Sequence, residues 1–153
     1  MPDTLCVIAL GGNLGDVPAA FRRACESLSS AGFRIRRFSS LLQNAPLGCE
    51  PGAPEFTNAA VSGFWSGTPS ELLRVCQRIE ADNGRPNDHA YHVSRTLDLD
   101  IILFGHETVA LPDLKIPHPE AAKRDFVMIP VLEIEPELAD WLAAQAESGK
   151  PEA

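Results

Sequence analysis

The chain has 153 residues, 44% of them hydrophobic and 22% charged, with a formal charge of −8. That length suits a single domain over 1–153 that buries a core without disulfides. The acidity argues against a protein that grips nucleic acid through its phosphates, though not against a nucleotide substrate whose charge is met by metal ions and a few local cations. No apolar run reaches bilayer-spanning length, and MPDTLCVIAL has no basic region ahead of its short apolar stretch. Neither a membrane span nor a cleaved signal peptide is expected, and the cytoplasm is the expected compartment.

In chain order, Thr4 to Leu10 reads as a buried strand that runs into a turn at Gly11-Gly12-Asn13. Phe21, Ala24, Cys25 and Leu28 recur at helical spacing, and Gly32 is placed to end that helix. Ile35 to Leu42 reads as a second strand. Residues 44–55, NAPLGCEPGAPE, carry three prolines and two glycines and are expected as a loop. Asn58 to Trp65 resumes strand character. Thr68-Pro69-Ser70-Glu71 is a helix start, with Thr68 as cap and Glu71 closing a capping box. Leu72, Val75, Cys76 and Ile79 form the buried face of that helix, which is expected to end at Asn83-Gly84.

Leu97 to Phe104 is the next strand. The order strand, helix, strand, strand, helix, strand fits an α+β, ferredoxin-like βαββαβ sandwich, its antiparallel sheet carrying helices on one face. A C-terminal extension follows, read as short strands, a helical turn near Pro119 to Arg124, and a packed tail frayed from about 140 to 153. Cys6, Cys25, Cys49 and Cys76 form no CxxC pair; buried small hydrophobes are expected, with Cys49 in a loop as an exposed thiol.

The segment Arg95-Thr96-Leu97-Asp98-Leu99-Asp100-Ile101 is the most informative. Alternation along a strand puts Asp98 and Asp100 on one face, with β-carbons about 7 Å apart, and Leu97, Leu99 and Ile101 on the other. Two carboxylates so spaced suit one or two hard cations and leave coordination positions for phosphate oxygens. The plainer alternative is an acidic outer face of a half-exposed strand, although Ile102 and Phe104, expected on the same face as the acids, are apolar. Arg85, Arg95, His118 and Arg124 supply cationic groups for phosphate oxygens if the fold converges them. Gly11-Gly12-Asn13-Leu14-Gly15 lacks the lysine and register of a phosphate loop; it reads either as a turn that lets backbone approach a flat ligand or as a structural turn. Phe56 and Phe126 are either core residues or stacking surfaces, and Asn58 either bonds a heterocycle edge or makes a local turn bond.

The stretches ALGGNLGD (9–16), SSLLQNAPLG (39–48), PEFTNAAV (54–61), RIEADNGR (78–85), RTLDLDIILFG (95–105) and IPHPEAAKRDFVMIPVLEIEPEL (116–138) resemble, in order, the 6-hydroxymethyl-7,8-dihydropterin pyrophosphokinase family. The resemblance implies the ferredoxin-like fold and transfer of pyrophosphate from ATP to 6-hydroxymethyl-7,8-dihydropterin in folate biosynthesis. The pterin hydroxymethyl oxygen attacks the β-phosphorus and AMP leaves. It implies two Mg2+ ions on Asp98 and Asp100, and Arg85, Arg95 and Arg124 on the phosphates. Phe56 and Phe126 would sandwich the pterin, with Asn58 on its edge and Gly11, Asn44 and Leu47 completing the pocket. Gln77, Glu80, Ile101 and His118 fall at nucleotide-binding positions. The implied partners are these small molecules, with neither nucleic acid nor membrane, and the implied state is a monomer.

Members of the family commonly read RWGPR ahead of the acidic strand, where this chain has Tyr91-His92-Val93-Ser94-Arg95. His92 replaces the tryptophan, the Gly-Pro pair is absent, and Asn87 stands where many members have a second arginine. These departures motivate an alternative, a divergent paralogue with weak activity or a different pterin. An RNA-binding module of the same fold is disfavoured by the net negative charge and by the absence of a basic, aromatic-rich strand.

Overall fold

Apolar residues at nearly every position of β1 (Thr4–Gly12) suit a strand covered on both faces and paired on both edges. The computed structural model describes residues 3–44, 55–83 and 97–148 and places β1 there. It pairs antiparallel with β4 (Phe56–Trp65) on one side and β5 (Asp98–Phe104) on the other. β2 (Arg34–Phe38) and β3 (Leu42–Asn44) both pair with β4, β2 along Val61–Phe64 and β3 along Phe56–Asn58. The strand order is β2–β4–β1–β5, so β5 is an edge. The strand expected over 35–42 is thus two pieces, broken where Ser39 turns its hydroxyl to accept from the Ala60 amide at 2.8 Å. β1 also runs through Gly11 and Gly12, and the turn comes later, around Gly15, whose φ of 71° suits a residue without a β-carbon.

α1 (Val17–Ser30) begins at Asp16, whose carboxylate accepts from the Ala19 amide at 3.1 Å. It ends as expected at Gly32, φ 104°, with the Phe33 amide donating back to the Leu28 carbonyl and the Gly32 amide to the Ser29 carbonyl. α2 (Pro69–Asp82) has the expected capping box between Thr68 and Glu71. Both helices cover one face of the sheet, where Phe21, Ala24, Leu28, Leu72, Cys76 and Ile79 pack on Cys6, Ile8, Leu10, Leu99 and Ile101. Burial pushes the Cys6 thiol up to about 12 and the half-buried Cys25 thiol up to about 11, with Glu107 and Glu26 respectively adding to the shift. Cys49 lies outside the described residues.

The second face departs from expectation. After the hairpin of β6 (Val109–Leu111) and β7 (Leu114–Ile116) and a 3-10 turn at Ala121–Lys123 come two more helices, α3 (Asp125–Ile134) and α4 (Pro136–Ser148). They cover the opposite face through Val127, Val131, Ile134, Leu138 and Leu142, packed on Val7, Ala60, Ile102 and Leu103. Helices on one face only is therefore corrected to helices on both. The tail expected to fray from about 140 is helical to Ser148, because Leu142, 1% exposed, is part of this second core. No helix among the described residues is long and apolar enough to cross a membrane.

Candidate active site

Cross-strand pairing places the acidic strand against small residues. Gly11 stands opposite Asn58 of β4 on one side and Asp98 of β5 on the other, and Leu42 of β3 stands opposite Asn58. One rung therefore reads Leu42–Asn58–Gly11–Asp98, and the rung two residues away reads Ala60–Ala9–Asp100. Residues directly opposite in an antiparallel sheet project to the same face. Ala60 belongs to the core under α3 and α4 and Ala9 packs against it, so Asn58, Asp98 and Asp100 all face that side. A β-carbon at Gly11 would sit 3.3 Å from Asn58 Oδ1. Glycine and alanine leave a shallow floor between a nearly buried asparagine and two half-buried aspartates.

A β-bulge shapes β5 beyond the acids. Val7 pairs with Leu103 but Ile8 pairs with Ile101, so Ile102 is the extra residue. Ile102 stays on the Asp100 side, as expected, whereas Phe104 crosses to the α1–α2 core, contrary to plain alternation. Ile101, 4% exposed, also spends its side chain in that core, so only its backbone faces solvent-accessible space at the strand edge. Its expected nucleotide contact is thereby limited to main-chain atoms.

The segment after β7 closes the other side. Its Ile116–Pro117 peptide is cis, and the His118 amide donates to the Ile102 carbonyl at 3.2 Å, fastening this loop along the open edge of β5. His118 Nδ1 accepts from the Glu120 amide at 3.2 Å, which leaves Nε2 to carry the proton of a neutral ring. Burial, and next the Arg124 guanidinium, hold the imidazole below its ordinary range, against the pull of Glu120 and Asp98. His118, Arg124 and Asp98 therefore share one electrostatic neighbourhood. Arg124 is the N-terminal boundary of α3, and its guanidinium lies 5.8 Å from the centroid of Phe126 on the first turn. Phe126 is half-buried against the second core. Phe56, two residues before Asn58, shares the Asn58 face and stands opposite Asn44 in the β3–β4 pair.

On α2, Gln77 is exposed and Glu80 is nearly buried one turn later. Glu80 Oε2 accepts from the Leu99 amide at 2.8 Å, between the two aspartates. Leu47, Arg85 and Arg95, with the 87–94 segment, lie outside the described residues. The structure thus brings Gly11, Asn58, Phe56, Asp98, Asp100, His118, Arg124 and Phe126 to one side of the sheet. The floor residues Ala9 and Ala60 escaped the sequence reading, since only the pairing register reveals them.

The donor set fits a hard cation. Two carboxylates project from alternate positions of one strand, and no group of three His, Cys, Asp or Glu residues among those described could hold a metal without other ligands. Mg2+ bound there would draw its remaining ligands from phosphate oxygens and water, its usual preference.

Residues 7–136 match the sequence profile of the 7,8-dihydro-6-hydroxymethylpterin-pyrophosphokinase (HPPK) family. The 2-amino-4-hydroxy-6-hydroxymethyldihydropteridine pyrophosphokinase of Bacillus subtilis (strain 168) is 38% identical over 133 residues, 86% of this chain and 78% of that one. The protein of the same name from Porphyromonas gingivalis is 34% identical over 143 residues, covering 91% and 93%. A mitochondrial folate synthesis bifunctional protein of Arabidopsis thaliana is 38% identical over 128 residues, 84% of this chain but 23% of its own, so the chain spans about a quarter of that relative. In fold, the chain is similar to Plasmodium falciparum HPPK-DHPS, solved as wild type with pteroate. The TM-score is 0.68 at 12% identity, over 96% of this chain and 44% of that one. On the profile match and these identities, the chain belongs to the 7,8-dihydro-6-hydroxymethylpterin-pyrophosphokinase family.

Proposed function

We propose that this chain transfers the terminal pyrophosphate of ATP to the hydroxymethyl oxygen of 6-hydroxymethyl-7,8-dihydropterin and releases AMP. The observation that carries the reading is the rung Asn58–Gly11–Asp98, continued by Asp100, on the face that α3 overhangs. A flat heterocycle over Gly11 meets no β-carbon there, and the Asn58 amide, whose Nδ2 donates to the Leu42 carbonyl at 3.5 Å, is assigned to its edge. Phe56 and Phe126 supply apolar surface for stacking, and Asn44 and Leu47 are assigned to the same pocket on sequence grounds.

The reaction forms a bond between the hydroxymethyl oxygen and the β-phosphorus and breaks the bridge to the α-phosphorus. AMP departs with the bonding electron pair, and the hydroxyl proton is lost. Such transfers depend on positioning and on stabilising charge spread over equatorial oxygens. Asp98 and Asp100 would hold Mg2+, which supplies charge neutralisation and a template for nucleophile and phosphate when bound. Arg124, which shares the electrostatic neighbourhood of His118, is assigned to the phosphates through its planar guanidinium, and His118 Nε2 is assigned as a directed donor to a phosphate oxygen. Arg85 and Arg95 are assigned to the same phosphates on sequence grounds. Gln77 and the Ile101 backbone, along the open edge of β5, are assigned to the nucleotide.

The β5–β1–β4–β2 order, with β3 as an appended strand, supports a ferredoxin-like description of a single domain. Free thiols at Cys6 and Cys76, both buried, suit a reducing compartment such as the cytoplasm. The functional unit is a monomer in this reading, checked by light scattering.

Product analysis tests the function. The pure protein with ATP, Mg2+ and the reduced hydroxymethylpterin is expected to yield AMP and no ADP. Asp98→Asn and Asp100→Asn are each expected to lower turnover by about two orders of magnitude or more with the melting temperature unchanged. Full Mg-dependent activity in both variants would remove the metal assignment.

A further inference from the structure

We propose that Glu80 is a positioning residue that holds the open edge of β5 and thereby fixes the shared orientation of Asp98 and Asp100. The inference rests on the function given above and adds to it a residue that acts through the strand rather than by touching the nucleotide.

Among the described residues β5 ends the sheet, with β1 on one edge and no strand on the other. Along an antiparallel edge strand every second amide faces outward, and each needs a partner from water or a side chain. Leu99, between the two aspartates, is such a residue. Its amide donates to Glu80 Oε2 at 2.8 Å in a buried hydrogen bond, while its own side chain, 4% exposed, anchors in the α1–α2 core. Three residues along, the same edge is held a second time, by the His118 amide on the Ile102 carbonyl.

The choice of a carboxylate here is itself informative. Glu80 is 8% exposed, among Leu72, Cys76 and Ile79 on the inward side of α2. A carboxylate so placed is costly unless hydrogen-bonded, and the Leu99 amide supplies that partner. A backbone amide satisfied by a charged acceptor is a strong fastening. Since side chains alternate about the strand axis, any twist of β5 at Leu99 swings Asp98 and Asp100 together away from the rung they share with Gly11 and Ala9. An error near 1 Å at such a site is enough for about a hundredfold loss of rate.

The test uses Glu80→Gln, which keeps an acceptor for the Leu99 amide, and Glu80→Leu, which removes it, with Glu80→Ala in its place should the leucine variant not fold. Amide hydrogen exchange is measured on the unliganded protein at Leu99, with Val61 and Leu10 as controls. Steady-state kinetics follow with ATP, Mg2+ and the pterin. Glu80→Gln is expected to keep slow exchange at Leu99 and to retain a kcat above that of the acceptor-less variant. Removal of the acceptor is expected to speed Leu99 exchange about tenfold with the controls unmoved. It should also lower kcat by at least about tenfold and raise the half-saturating Mg2+ concentration, with KM for pterin unchanged. Unchanged Leu99 exchange in the acceptor-less variant overturns the proposal. So does a Gln variant as impaired as the Leu variant with its whole loss in KM for ATP, the mark of a direct nucleotide contact. Because the exchange arm contains no substrate, it decides the positioning role even if the parent protein makes no AMP, an outcome that would strike the function alone.

Discussion

Helices α1 and α2 meet β1 through apolar side chains, with one polar bond from Glu80 of α2 to the Leu99 amide of β5, whereas α3 is fastened at its C-terminal end by charge. On the first face Phe21, Leu28, Leu72 and Ile79 pack on Cys6, Ile8 and Leu10, and nothing in that contact is directional. On the second, Glu135, 6% exposed, takes the Arg36 Nε at 3.0 Å and the Ser62 hydroxyl at 2.7 Å. Arg37 donates to the Ile134 carbonyl at 3.0 Å, at the negative end of the helix. The Ser40 amide donates to both oxygens of Glu133, at 2.8 and 2.9 Å, which holds that carboxyl below its ordinary range. Consecutive arginines of a regular strand would point to opposite faces. A bulge between Ile35 and Arg37 lets both reach the same helix end. The apolar face supplies bulk stability; the polar fastening sets the register of α3, the helix that has Arg124 at its N-terminal boundary and Phe126 on its first turn.

The largest loss of stability is expected in the apolar layer. Leu72→Ala, at a fully buried site, is expected to cost about 2–5 kcal/mol, read from denaturant unfolding. Gly63→Ala attacks the join between the layers, since its β-carbon would lie 2.5 Å from the Phe33 ring and 2.6 Å from the Arg34 carbonyl. It is expected to cost about 1–3 kcal/mol and to loosen β2, visible as faster amide exchange at Arg37. Glu135→Ala sharpens the contrast, because it strands Ser62 and Arg36. With Arg36 itself 41% exposed, about 1–3 kcal/mol is expected rather than the full cost of a broken buried pair. This variant should also weaken pterin binding, which Leu72→Ala should not at temperatures where it remains folded; titration of both separates the two roles. Thr68→Ala removes the capping box of α2 at about 1 kcal/mol and should leave pterin affinity alone. The smallest effect is set by pH. The Cys6 thiol, raised from 9.0 to about 12, favours the folded state below 9.0 and loses that contribution as the pH rises toward 12. The melting temperature should therefore fall above pH 9.0, and less steeply in Cys6→Ala.

Much of the first layer is legible in the amino-acid sequence. The helical spacing of Phe21, Ala24 and Leu28, the glycine at 32 and the Thr68–Glu71 box are local signals, and each decides local structure without help from distant residues. Helix α3 hid its period because apolar residues run nearly all the way round it, from Phe126 to Ile134, with Pro130 in its interior. Neither feature marks a helix unless a second core is there to receive it. The site was legible in its residue types but not in its convergence. Alternation, the only rule available within one strand, puts Phe104 on the face of the acids, and the bulge that moves it arises from pairing with β1. Glu80 falls at a nucleotide-binding position by family resemblance, and its bond to the Leu99 amide depends on how α2 lies along β5.

The amino-acid sequence by itself determined the family, the alternating carboxylates of Asp98 and Asp100, and the helices of the first layer, because motifs, alternation and caps are written in neighbouring residues. Only the tertiary structure decided that Gly11, Asn58 and Asp98 form one rung, that a second helical layer covers their face, and that a buried glutamate braces the acidic strand. These depend on register and packing between segments far apart in the chain, and no local pattern encodes which residue of one strand will stand opposite which residue of another.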